Sequence, residues 1–232
     1  MGTSKAMHAS RRTLLRGMGA GAVLFGAGCP CQYSTAPRLI SADAFPGIEL
    51  TASFHAPAPN TLQMGPNLYR MRIEFPATLE AEQDREDWCW AAGVCMVLGY
   101  QGVPADQEDL AAQIKGDAID QRASPCDIQK ALNGLHVDWG LRPAAVSATV
   151  FGVSGATLIA DTSYQWPPLV GVEDHVYVFG GATYSILPNG DAAFHDVRLF
   201  DPSPGEGWED DFSATRFVRQ IQMALRIRVQ HA

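Results

Sequence analysis

Apolar positions alternate between residues 68 and 75. Tyr69, Met71, Ile73 and Phe75 interleave with Arg70, Arg72 and Glu74. That is the period-two signature of a half-buried strand, and Pro76 ends it. From 87 to 102 the alternation disappears. Asp87-Trp88-Cys89-Trp90-Ala91-Ala92-Gly93-Val94-Cys95-Met96-Val97-Leu98 is apolar nearly all round. This predicts a helix buried in the core, with Asp87 as its cap and Gly102 at its end. Further helices fit 106–115, 125–135 with Ser124 as cap, and 156–164, and an apolar strand fits 149–153. After Trp166-Pro167-Pro168 the pattern is strand-like over 169–172 and 175–181. Pro188-Asn189-Gly190-Asp191 signals a turn. A strand over 192–200 runs into Asp201-Pro202, and late strands fit 216–229. Helices precede an antiparallel sheet with no internal repeat, so the fold class is α+β.

The first 66 residues read differently. Residues 8–28 carry a basic start and a short Gly/Ala-rich stretch, the composition of a removable leader. Ser10-Arg11-Arg12-Thr13-Leu14-Leu15 resembles a twin-arginine signal, whose route exports folded proteins. Gly26-Ala27-Gly28-Cys29 is compatible with a lipoprotein box, which would lipidate Cys29 and anchor the chain to a membrane. It is equally compatible with ordinary cleavage near Gly28. The Pro-rich stretch from Pro37 to Pro66 predicts an irregular arm, with one short strand over 48–55. The expected organisation is therefore a leader over 1–30, a linker over 31–66 and one catalytic domain over 67–232. The expected location is outside the cytoplasm: periplasmic, secreted or lipid-anchored.

Composition and charge narrow the classes. The chain is 47% hydrophobic and 18% charged, the range of a globular domain. The formal net charge is −8, and the only charges before position 30 are Lys5, Arg11, Arg12 and Arg16. Without the leader, thirteen basic residues face 25 acidic ones. Such a body repels phosphate, which argues against a nucleic-acid partner. The five cysteines are Cys29, Cys31, Cys89, Cys95 and Cys126, with no CxxC pair. Neither they nor the histidines have metal-ligand spacing, so no metal or cofactor is expected. An odd count in an exported chain leaves at least one thiol unpaired within the molecule.

Cys89 is the thiol with a reason to stay free. It lies in the first turn of the predicted helix, where unpaired N–H groups and the helix dipole favour a thiolate nucleophile. Trp88 and Trp90 would wall the site. Cys95 reads as core packing, and Cys126, at a helix start, reads as structural or disulfide-bonded. Among the histidines, His175 stands at the beginning of an apolar strand and so at a sheet end. His195 falls inside a strand, and His136 falls in an expected loop. If Asn189-Gly190 closes a hairpin, His175 lies fourteen residues before Asn189 and Asp201 eleven after Gly190. Bulges at Gly180-Gly181 would absorb the difference and bring the two side chains together. A carboxylate there can hold one imidazole nitrogen and leave the other for the thiolate. Taken alone, Asp201-Pro202 is an ordinary turn dipeptide. Gln83, six residues before Cys89, could add a side-chain donor for an oxyanion beside the Cys89 N–H.

Gln83, the run Trp88-Cys89-Trp90-Ala91-Ala92, and Met96 and Tyr100 resemble the nucleophile segment of bacterial papain-like cysteine peptidases, the group including the AvrRpt2-like and C39-like families. The segments at 168–172, 175–178 and 197–202 are similar to that group's base and orienting strands, so the resemblance spans about 79–211. It implies a papain-like fold, with a helical half led by the nucleophile helix packed on a C-terminal antiparallel sheet. It also implies a peptide or protein substrate, with Cys89 as nucleophile, His175 as base, Asp201 as orienting group and Gln83 in the oxyanion hole. One departure stands out. Glu173-Asp174 precede His175 where such families often carry glycine, and Asp174 becomes a candidate for the substrate cleft. The alternatives are a transpeptidase using the same site, a non-catalytic binding module on the same scaffold, and an exported metalloprotein.

Overall fold

In the computed structural model, residues 40–41, 60–133, 135–139 and 142–231 are described. The leader, Cys29 and the strand expected over 48–55 lie outside them. Ten strands join in one sheet. In chain order they are β1 (Ile40–Ser41), β2 (Thr61–Gly65), β3 (Leu68–Arg72), β4 (Leu135–Trp139), β5 (Arg142–Phe151), β6 (Leu169–Val172), β7 (His175–Ile186), β8 (Ala192–Asp201), β9 (Gly207–Ser213) and β10 (Ile221–His231). Every pairing is antiparallel except β1 on β8. The helices are α1 (Cys89–Tyr100), α2 (Gln107–Lys115), α3 (Pro125–Leu132), α4 (Gly155–Ser163) and α5 (Ala214–Gln220). The class is α+β.

Both faces of the sheet are covered. One buried cluster joins residues of α1, α2 and α3 to Leu169, Val178 and Leu225. The other joins Leu158 and Ile159 of α4 and Phe217 of α5 to Val170, Tyr177, Phe179 and Leu199. Adjacent residues of β6 and β7 therefore point into different cores, which is why these strands read as unbroken apolar runs. It also departs from the expected helical half on one side: α4 and α5 lie on the face opposite α1.

α1 sits against β6, β7 and β10. A side chain at Gly93 would place its Cβ 2.8 Å from Leu169 Cδ2, so the absence of one is what lets the helix approach the sheet. Nine of its twelve residues are buried, each large apolar one worth about 1.5–3 kcal/mol. α1 is anchored at its start through two indoles. Trp88 Nε1 donates to the Ile119 carbonyl at 2.9 Å and Trp90 Nε1 to the Gln121 carbonyl at 3.1 Å.

The Ser124 cap expected for α3 is formed, and Asp106, expected as the first residue of α2, is its cap instead. Asp106 accepts from the N–H groups of Glu108 and Asp109, and Ser124 makes a capping box with Asp127. α1 differs. Its N-cap is Trp88, without a side-chain cap bond, while Asp87 is bound by Arg122 instead. Other elements also depart from expectation. Thr61–Gly65, inside the expected arm, pairs with β3. A β4–β5 hairpin fills the stretch between α3 and α4, so α3 is shorter than 125–135 and His136 stands in a strand. Residues 207–220 form β9 and α5, where only a late strand was expected.

Candidate active site

Cys89 is the first residue of α1, a free and largely buried thiol. His175 is the first residue of β7 and Asp201 the last of β8. His175 Nε2 lies 2.8 Å from Asp201 Oδ1, and Cys89, which lines the same cleft, is near enough to the ring to raise its pKa. A helix start and two strand ends thus bring the three side chains into one site. Asp201 Oδ1 also accepts the Ser203 N–H at 2.8 Å, so the residue makes its turn and holds the ring together.

The hairpin that joins His175 to Asp201 works by a different count from the expected one. Its loop is five residues, between Ile186 and Ala192. A bulge at Gly180 adds one residue to β7, and a second at His195 adds one to β8. The two cancel. Val178 pairs with Phe200, and continuing that register sets Asp201 opposite Tyr177, two residues from His175. His175 and Asp201 therefore share a face and meet diagonally, a reach open to a ring and a carboxylate.

The electrostatics follow from these contacts. Burial works to lower the His175 pKa, but hydrogen bonds to Asp201 and to Cys89, and the charges of both, outweigh it and raise it to about 9. Burial works to raise the Asp201 pKa, but the bonds from His175 and Ser203 outweigh it and hold it below the usual value. Tyr177, edge-on to the His175 ring at 4.8 Å, is pushed up to about 12, first by burial and then by the Asp201 charge.

A cleft of about 410 Å³ opens beside the pair. Cys89, Trp90, Arg122, Ala123 and Pro125 line it from the helical side. Gly171, Glu173, Asp174, His175, Val176, Gln222 and Met223 line it from the sheet. Trp90 and Asp174 thus stand where the sequence expects them. Trp88 does not line the cleft; it is spent on holding residue 119 under the sheet-facing helix. Gln83 does not line it either. Its Nε2 donates to the Glu86 carbonyl at 2.7 Å, leaving one amide hydrogen over, and its Oε1 is buried without a partner.

Several residues of the site gave no sequence signal. Arg122 binds Asp87 at 3.0 Å and reaches Asp174 at 4.0 Å, linking the two sides of the cleft. Gln107 braces the loop that carries Gln83, accepting the Asp84 N–H and donating to the Glu82 carbonyl. The two-residue turn before His175 has Glu173 at φ 56, held by Arg216 at 3.3 Å. Only tertiary contacts single out Arg122 and Gln107, whereas Glu173 stands out in the sequence through its place before His175 but not through its backbone angle. Cys95, partly exposed at the residue level, has its thiol pKa driven far up by burial first and then by Asp106, Asp84 and Asp109, which fits a packing role. Cys126 is disulfide-bonded. Among the described residues no group of His, Cys, Asp and Glu could hold a metal ion.

No curated protein matches this chain. Residues 71–157 match the model of a family described as papain-like cysteine protease AvrRpt2. That segment holds Gln83, Cys89 and all of α1, whereas His175 and Asp201 lie beyond it and enter through the geometry alone. By that match the chain is similar to the bacterial papain-like cysteine peptidases that its Trp-Cys-Trp run resembles.

Proposed function

We propose that the protein is an exported cysteine peptidase that cleaves peptide bonds through a Cys89–His175–Asp201 triad and an acyl-enzyme. The observation that carries this reading is the 2.8 Å bond from the His175 ring to Asp201 Oδ1 in a cleft that His175 and the Cys89 thiol line together. The sulfur attacks the carbonyl carbon and forms a C–S bond. Negative charge gathers on the carbonyl oxygen, where the Cys89 N–H, unpaired at the helix start, is the first proposed donor, and Gln83 would supply the second by turning its amide from the Glu86 carbonyl toward the cleft. The imidazolium of His175 then gives its proton to the leaving amine as the C–N bond breaks. Water, deprotonated by the same ring, releases the acid and regenerates the thiol. Asp201 keeps Nε2 occupied, so that Nδ1 faces the sulfur throughout.

The test is alkylation and turnover together. An iodoacetamide probe is expected to label Cys89 and not Cys95, and Cys89→Ala to abolish cleavage of a peptide library with the fold intact. An unreactive Cys89, or full activity in Cys89→Ala, would remove the reading. Export is proposed from the leader composition, and lipidation from Cys29. Cell fractionation with mass analysis of the mature N-terminus tests both.

A further inference from the structure

We propose that the cleft beside Cys89 selects a substrate residue with an aliphatic stem and a cationic tip, lysine or arginine, and that Asp174 with Glu173 sets this preference. The proposal rests on the peptidase reading above for its scissile bond, but the recognition itself is a property of the cleft.

The walls suit a stem. Trp90, Pro125 and Met223 present apolar surface close to the sulfur. Met223 reaches this position because Gly171 has no side chain; a Cβ there would lie 2.9 Å from Met223 Cγ. A β-bulge adds the polar element. The β10–β6 register passes from Ile221 opposite Val172 to Met223 opposite Gly171, so Gln222 is the extra residue, and it lines the cleft. Bulges beside active sites re-aim a side chain in this way.

The rim decides the charge. The lining residues outside the Cys89–His175 pair carry one cation, Arg122, and two carboxylates, Glu173 and Asp174. Arg122 is committed on the helical side, its Nε 3.0 Å from Asp87, and touches Asp174 only at the 4.0 Å limit of an ion pair. Glu173 is 3.3 Å from Arg216, which lies outside the cleft lining. Asp174 is therefore the rim charge with the loosest partner, its side chain 88% exposed. A basic tip gains Asp174 and the Gln222 side-chain carbonyl, replacing the 4.0 Å contact to Arg122 and leaving the Arg122–Asp87 pair intact. An acidic tip meets two carboxylates, and the one cation it finds, Arg122, already shares its charge with Asp87 and Asp174. An apolar tip leaves Asp174 with only its distant Arg122 partner, whereas a lysine or arginine lays its methylenes on the walls and keeps its head at the rim.

The experiment uses peptides with lysine, arginine, norleucine or glutamate at each of the three residues before the cleaved bond, read as kcat/KM. At one position lysine and arginine are expected to exceed norleucine at least tenfold, with glutamate last. Asp174→Asn is expected to cut the lysine-to-norleucine ratio at least fivefold. Norleucine equal to or better than lysine at every position, or a ratio unmoved by Asp174→Asn, overturns the proposal. Calorimetry on the Cys89→Ala protein separates the two readings. Lysine peptide bound more tightly than its norleucine counterpart, with the difference reduced by Asp174→Asn, supports the cleft assignment even if wild-type protein cleaves nothing, an outcome that would remove the peptidase reading alone. Equal binding of the two peptides overturns the cleft assignment whatever the cleavage result.

Discussion

The backbone N–H of Gln83 donates to the Pro202 carbonyl at 2.7 Å, one residue past Asp201. The loop leading into the nucleophile helix is thereby fastened to the corner that carries the carboxylate. Gln107 braces the same loop from behind, at 2.8 and 3.1 Å. Gln107→Leu would leave the Glu82 carbonyl and the Asp84 N–H without these partners; both residues are exposed, so water replaces part of what is lost and the stability cost stays below the about 1–3 kcal/mol of a fully buried unpaired group. The expected outcome is a fall in kcat of roughly tenfold, from a misplaced donor loop, with KM little changed and Cys89 still alkylated. A loss confined to thermal stability, with kcat intact, would mean the brace is structural only.

The His175 shift sets a pH window. Its folded pKa of about 9 exceeds the ordinary 6.5 of the unfolded chain. The pairing therefore contributes stability that is fully present below about 6.5 and is lost as pH rises through about 9. Allowing for solvent screening, this amounts to ~1–2 kcal/mol. Asp201 has the opposite sign. Its lowered pKa stabilises above the usual carboxylate value, and that part is lost as pH falls through the folded value. Thermal melts are expected to drop as pH rises from about 6.5 to about 9 and to level off, as far as this group is concerned, above that. In Cys89→Ala the His175 pKa is expected to fall, because a hydrogen bond and a charge that raise it are gone, and NMR titration of the ring reads this directly.

Asp201→Asn keeps an oxygen for the Nε2 hydrogen but removes the charge, whereas Asp201→Ala removes both. The expected order of kcat/KM is wild type, then Asn, then Ala, with Ala down roughly hundredfold or more. The alkaline limit of the pH–rate profile should shift below 9 in both variants. Equal profiles in all three proteins would show that Asp201 only makes its turn.

A second carboxylate gives a stability test remote from the cleft. Asp161 on α4 is 3% exposed and meets Arg226 of β10 at 2.6 and 2.7 Å. Burial raises its pKa against the pull of Arg226 and Arg228. Arg226→Ala strands this carboxylate and is expected to cost ~3–5 kcal/mol, read as a lowered denaturation midpoint. Adding Asp161→Leu should recover part of the loss.

How much of this was legible in the sequence depends on how local the cause was. β3, β6 and β7 announce themselves through period or apolar runs, and α3 through a cap that is itself a sequence feature. β5 was seen only at its end. Its buried residues Ala144, Val146 and Ala148 are mostly small and alternate with Ala145, Ser147 and Thr149, so the contrast is weak. β9 carries Glu209, Asp210 and Asp211 on an exposed edge, and ion pairs from Arg72 and Arg198 to Asp210 hold it there. No local pattern encodes such a partner.

The site divides the same way. Cys89 was legible from its helix start, and His175 from the strand it opens. Their meeting with Asp201 was anticipated for an incomplete reason, since a bulge at Gly180 is present but is cancelled on the other strand. Arg122, Gln107 and Gln222 owe their places to loops and bulges that only the folded chain defines.

The turn residue Glu173 carries one last implication. A left-handed backbone angle is one that glycine takes freely and a branched or long side chain takes at a penalty of about 1–2 kcal/mol. Replacing Glu173 by glycine would relax the chain at this corner and, in the same step, strip a carboxylate from the mouth of the cleft. Stiffness and charge are therefore tied together at one position, and an engineer who tunes either quantity there must retune the other.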